Sequence, residues 1–220
     1  MTTNNIQKKV RIRKLDILYE QAYSSLLAST ILAVSMVYIF RGHISTVSLS
    51  SWLVIFLFVT GLRLYSARVF TRSENPSSNL EYWFSWHIFG VIISGIIWGG
   101  LILLLVKTTD ITYLGLATGC AVGLCAGAAV VYSFSFISFL MFSIPVLGPT
   151  GIFLLVADQP TINIFGYFVF LFLITMIVIS WRLNKITTHS LSMQIKNEEL
   201  LELLTALKTE KEQVIDSNNT

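Results

Sequence analysis

Residues 113–132 read YLGLATGCAVGLCAGAAVVY, and four of them, Gly115, Gly119, Gly123 and Gly127, recur at every fourth position. In water such a run would make a poor helix, because each glycine costs about 1 kcal/mol relative to alanine. In a bilayer the argument reverses. Lipid offers no partner to an unpaired backbone group, so the segment stays helical, and small residues let neighbouring backbones approach closely. The opposite face is small as well, with Ala117, Ala121, Cys125 and Ala129 at the same spacing. A helix that is small on two opposed faces is expected between two partners, near the centre of a packed membrane bundle. At spacing four the glycine ridge drifts about 40° per step, which suits a right-handed crossing.

The rest of the chain has the composition such a bundle needs. Of its 220 residues, 54% are hydrophobic and only 12% charged, and mean hydropathy is +0.72. Globular domains carry about a quarter charged residues. A span needs about 20 apolar residues, and six stretches qualify, at roughly 22–40, 44–62, 82–106, 113–132, 134–156 and 162–181. The expectation is an all-α, six-span membrane domain over residues 21–182, preceded by a basic segment, 1–20, and followed by a polar tail, 183–220. The first twenty residues are polar and basic with no cleavage pattern, so the first span is expected to remain as an anchor.

Charge placement sets the orientation. Lys8, Lys9, Arg11, Arg13 and Lys14 precede the first span. Arg63, Arg68 and Arg72 accompany the end of the second, and Arg182 and Lys185 follow the sixth, whereas the alternate loops hold only Arg41 and Lys107. The positive-inside rule then puts both termini in the cytoplasm. Because topology accounts for the basic residues, no nucleic-acid partner is expected. Segment 5–20 mixes apolar and basic positions, as either an interfacial helix on the inner leaflet or a solvated basic flank would. Cys120 and Cys125, five apart on one helix, face different directions, so packing rather than a mutual disulfide is expected.

The outer loops at 41–43, 107–112 and 157–161 leave no room for an external domain, so a stimulus must reach the spans themselves. The third span opens with Tyr82, Trp83, Phe84 and Trp86, an interfacial belt, and carries Gly95 and Gly99 four apart. That makes it the natural neighbour of the glycine ladder. The fifth span holds Pro145 and Pro149 around Gly148, where a kink is expected because each proline removes a backbone hydrogen bond. Beyond Trp181 the chain turns polar without Pro or Gly. Ile186, Met193, Leu200, Leu207 and Val214 fall seven apart with Leu204 between, while Ser190, Asn197 and Lys211 occupy the other seam positions. A helical tail is expected, forming a weak two-stranded coiled coil or docking its apolar face elsewhere.

Chemically, no carboxylate lies inside a span. Asp110, Asp158, Glu74 and Glu81 are all in loops, which argues against a proton- or cation-coupled pump, although transporters built on broken helices stay open. Arg63 is expected to snorkel to the inner interface beside Tyr65 and Arg68. His87, about a turn and a half into the third span, reads as a pH-responsive or ligand-contacting group or as an interfacial histidine. Trp98 beside Gly99 and Gly100 needs a partner for its indole N–H. With Tyr132 at the close of the fourth span, His87 and Trp98 make up a candidate stimulus pocket. No phosphate loop, zinc-spaced set or nucleophile elbow is present. No catalytic residue, metal or cofactor is expected, and this chain is not read as an enzyme.

A resemblance supplies the function. Tyr19 or Tyr23 before the first span, Trp52 and Arg63 in the second, SGIIWGG in the third, the small-residue fourth, IPVLGP in the fifth, and a sixth span running into NEELLELLTALKTEKEQVIDSNNT occur in order. The chain so read resembles the membrane input region of bacterial sensor histidine kinases, especially hybrid kinases, and related regions that precede diguanylate cyclase domains. The resemblance implies a cytoplasmic-membrane (inner-membrane) sensor and dimerisation module of a two-component system. Its homodimer would form through residues 183–220, and the tail would address a kinase or output domain in cis or in trans. In that family the closing helix runs into a histidine-phosphotransfer helix, and Thr220 stands where that stretch would begin, so kinase activity does not carry over to these residues. The alternatives are a small transporter or channel-like protein and a passive membrane anchor.

Overall fold

The computed structural model describes residues 3–73, 79–106 and 111–218. Glu74, Lys107, Asp110, Thr220 and the side chain of Val214 lie outside the described residues. Six helices succeed one another: α1 Thr3–Ile39, α2 Thr46–Arg72, α3 Leu80–Val106, α4 Ile111–Val131, α5 Phe136–Leu155 and α6 Pro160–Asn218. Each contains a stretch long and apolar enough to cross a membrane. Among the described residues there is no strand, only an isolated bridge between Arg41 and Ile44 in the α1–α2 turn. Gly42 in that turn has φ +96°, a conformation that a side chain would strain. Large apolar side chains point away from the bundle, among them Phe58, Leu171 and Ile174, each at least 60% exposed. That arrangement is disfavoured in water and matched by lipid.

The helix at the centre is α5, not α4. The most extensive pairings are α3 with α5 and α5 with α6, and half of the α5 span is buried. The reason lies in its prolines. Neither has an N–H, so the carbonyls four residues earlier, Met141 for Pro145 and Pro145 for Pro149, have no donor within the helix. On α3, Gly95 and Gly99 face this surface. A methyl group at Gly95 would come within 2.7 Å of the Phe142 carbonyl oxygen and 3.3 Å of that of Met141, and one at Gly99 would overlap the Pro145 carbonyl oxygen. Two glycines four apart thus meet a backbone ridge shaped by two prolines four apart, with glycine Cα–H groups against the freed carbonyls. The α5 helix runs through both prolines as one element. On its other side, Gly151 admits the Phe170 ring and Gly166 admits Leu155.

The α4 helix does pack among α3, α5 and α6, but its glycine ladder takes no part, which corrects the expectation that this ladder meets Gly95 and Gly99 of α3. A methyl group at Gly115, Gly119, Gly123 or Gly127 would meet nothing within 4 Å. The buried face of α4 is the alanine side, with Ala117, Ala121, Cys125 and Ala129 in the core. Alanine buries some apolar surface at no cost in helix propensity, so that face gains more from packing than the glycine face would. Both cysteines are free.

The N-terminal segment is not a separate helix, and Lys8, Lys9, Arg11 and Arg13 stay exposed. It continues the first span as a single 37-residue helix. The last helix is likewise unbroken for 59 residues, about 90 Å at 1.5 Å per residue. Their extensions lie side by side at one end of the bundle, joined by Val10, Leu191 and Ile195 and by Lys9 Nζ donating to Glu199 Oε1 at 2.7 Å. That hydrogen bond raises the Lys9 ammonium above its usual range, against a smaller opposing effect of desolvation. The heptad stripe is elsewhere. Ile186, Met193, Leu200, Leu204 and Leu207 are all exposed. Leu191 and Ile195 flank Met193 by two residues, about 200° around the helix, so α6 presents one face to α1 and leaves the opposite, apolar face open.

Candidate functional site

The polar interior sits at the bundle end from which the two long extensions emerge. Three helices and a turn build it: α1 brings Tyr19, α2 Arg63, α3 His87 and Ser94, and the turn after α4 brings Tyr132. Its centre is Arg63, which does not snorkel outward beside Tyr65 and Arg68 but turns across α3. There Nη1 donates to Ser94 Oγ at 3.0 Å and Nη2 donates to Tyr132 Oη at 3.4 Å. Gly90 makes this possible, since a methyl group there would lie 3.2 Å from Arg63 Cγ and 3.3 Å from Cδ. Ser94 Oγ itself donates to the Gly90 carbonyl at 2.9 Å, which leaves its lone pairs for the guanidinium.

Aromatic rings close the cluster. The His87 ring lies 6.1 Å from Tyr132 and 5.7 Å from Tyr19, edge-on to both. Tyr19 stacks on Phe70 at 4.1 Å and donates its hydroxyl to the Trp83 carbonyl at 3.0 Å. His87 Nε2 is buried and has no hydrogen-bond partner. No carboxylate lies within ion-pair distance of Arg63 among the described residues, so a full positive charge is held by neutral acceptors in a half-buried setting.

Of the three pocket residues expected from sequence, the structure brings His87 and Tyr132 together and leaves Trp98 apart. Trp98 is eleven residues further along α3, about 16 Å. Its ring stands edge-on against the stacked pair Trp52 and Phe56, and its indole N–H donates to Ser29 Oγ at 3.2 Å. With its polar handle satisfied and its ring in the core, Trp98 is a packing residue. Arg63, Ser94 and Gly90 are the functional candidates that sequence reasoning missed as a group. A signal for them existed: His87, Gly90 and Ser94 fall at i, i+3 and i+7, one face of α3, carrying a gap and two hydrogen-bonding groups.

A second polar joint adjoins the first. Tyr132 opens the short α4–α5 turn, and the carbonyl of the next residue, Ser133, accepts from Asn184 Nδ2 and from Thr187 Oγ1 of α6, both at 3.0 Å. Ser135 caps α5, accepting from the Ser138 amide at 3.3 Å. The guanidinium and the point where α6 leaves the bundle are therefore held to adjacent residues of the α4–α5 turn, the Tyr132 hydroxyl and the Ser133 carbonyl. The chemistry offered is recognition of an acceptor and exchange of hydrogen bonds. Among the described residues, no three His, Cys, Asp or Glu side chains are grouped to hold a metal. In comparison with known proteins, no family model matches the chain and neither a curated protein nor a solved structure matches it.

Proposed function

We propose that the chain is a six-span membrane sensor, the input and dimerisation module of a two-component histidine kinase system, with both termini in the cytoplasm of a bacterial cell. The single observation that carries this reading is α6, a continuous helix from the sixth span to Asn218. A helix propagates rotation or tilt along its length, and Asn184 and Thr187 tie its exit to the α4–α5 turn. Sensing then requires two packings at that joint that differ in their affinity for the stimulus. Support for dimerisation comes from the open stripe Ile186, Met193, Leu200, Leu204 and Leu207. Leucines facing water along one side of a helix gain most from a second copy of the same helix.

The test grafts residues 1–220 onto a kinase core and inserts one to seven residues after Thr205, beyond the side chains that touch α1. Each inserted residue rotates the C-terminal remainder of the helix by about 100°. Kinase output is expected to rise and fall with helical phase. Output indifferent to phase refutes the reading and favours a passive anchor. Solute flux in proteoliposomes that survives removal of residues 190–220 would favour a transporter.

A further inference from the structure

Arg63 lies nine residues before the end of α2, about 13 Å along the helix axis, within the bundle rather than beyond it. A half-buried guanidinium is costly unless its charge is answered. Here the answer from the protein is two neutral hydroxyls, Ser94 at 3.0 Å and Tyr132 at 3.4 Å. The longer bond is the weaker one, and it leaves several of the five guanidinium N–H groups without a protein acceptor. Beside them, the buried Nε2 of His87 has no hydrogen-bond partner. Ser94 already gives its one proton to the Gly90 carbonyl, so the donors on offer are the remaining guanidinium N–H groups, the Tyr132 hydroxyl and His87 in its Nε2–H tautomer. Together they match one kind of ligand atom, the oxygens of a carboxylate or phosphate, which a guanidinium fork binds in bidentate fashion.

Position narrows the source. Arg63 stands one residue past the second apolar stretch, 44–62, the level at which an amphiphile holds its head while its tail stays in lipid. We infer that Arg63, held in place by Ser94 and joined by Tyr132 and His87, receives the oxyanion head of a membrane amphiphile. That head is either the carboxylate of a single-chain acid or the phosphate of an anionic phospholipid. Tyr132 then exchanges its bond to Arg63 for the incoming head. The carbonyl of the next residue holds Asn184 and Thr187, so occupancy bears on the exit of α6. This last consequence rests on the proposed signalling role, while binding itself does not.

The test uses the full chain in dodecyl maltoside micelles, which carry no anion. Thermal unfolding is monitored during titration with dodecanoate, with dodecanol and with dioleoyl phosphatidylglycerol. A saturable rise in midpoint with dodecanoate alone assigns the site to a fatty-acid carboxylate, with phosphatidylglycerol alone to a phospholipid, and with both to the shared chemistry. No response to either, or an equal response to dodecanol, overturns the inference. Arg63→Gln is expected to weaken the response about ten- to hundredfold, the worth of hydrogen bonds to a charged group, and an unchanged response overturns the inference. If that variant does not fold, Arg63→Lys is read instead. The ammonium keeps the charge without the fork, so weakened binding supports the site and undiminished binding overturns it. No output domain is needed, so failure here leaves the signalling reading intact, and failure of the grafted kinase leaves the binding site intact.

Discussion

The contact of α3 with α5 makes a sharp prediction, because it reverses what a ladder of four glycines suggests. Adding one methyl group at Gly99 drives it into the Pro145 carbonyl oxygen, and at Gly95 it stands 2.7 Å from the Phe142 carbonyl oxygen. Carbon–oxygen contacts of this kind settle at about 3.3–3.6 Å, so Gly95→Ala forces the helices apart by about 0.6–0.9 Å. The obstacle is backbone, which cannot swing aside as a side chain would. Overpacking of a well-packed site costs about 1–3 kcal/mol, with Gly99→Ala the larger of the two. One separation relieves both clashes, so the double variant should cost less than the sum of the singles. At Gly119 and Gly123 the same change meets nothing within 4 Å. There the effect should run from neutral to about 1 kcal/mol stabilising, the difference in helix propensity. Reversible unfolding in mixed micelles, monitored by tryptophan fluorescence, measures all five proteins on one scale. If Gly99→Ala proves no more destabilising than Gly119→Ala, the assignment of α5 as the partner of the small face of α3 is wrong.

Three further outcomes rest on the same geometry. Ser29→Ala removes the acceptor of the Trp98 indole inside the core and should destabilise the bundle by about 1–3 kcal/mol, measured in the same unfolding assay. No loss would mean that the indole finds another acceptor. Breaking the Lys9–Glu199 contact by Lys9→Glu should raise amide hydrogen exchange over residues 6–17, and adding Glu199→Lys should restore protection. Because its hydrogen bond raises Lys9 above 10.5, this tie is complete below that pH and is lost as pH climbs through the raised value, so exchange should be flat from pH 7 to 9 once corrected for intrinsic rates. In a chain with Cys120 and Cys125 replaced by Ala, Met193→Cys and Leu200→Cys should crosslink two copies under oxidation while Ile195→Cys, turned toward α1, should not. The opposite pattern would place the dimer seam on the wrong face.

Much of the architecture is legible in the sequence for a physical reason. Lipid supplies no hydrogen-bond partners, so any apolar run of about 20 residues must close its own backbone bonds as a helix. That argument is local, and the six spans derive from it, while the helix beyond Trp181 follows from a polar run without Pro or Gly. The candidate site is only partly legible. His87 and Tyr132 stand out as polar groups in apolar runs, but Arg63 meets Ser94 and Tyr132 across 31 and 69 residues of chain, and no local pattern reports such a meeting.

What the sequence determines by itself is therefore the set of helices and the small residues that permit close approach. Which of those residues are used is decided by tertiary structure. Gly115, Gly119, Gly123 and Gly127 form the stronger motif, yet they lie open, whereas Gly95 and Gly99, a single pair, meet the α5 backbone at a distance that leaves no room for a methyl group. The difference comes from the partner. A small residue permits approach, but the approach is favourable only where the opposite surface has something to bring near. The carbonyls freed by Pro145 and Pro149 supply that on α5. The same rule places Arg63: its position in α2 is written in the chain, but only the folding of Gly90 and Ser94 beneath it turns a membrane-boundary arginine into the centre of a polar cluster.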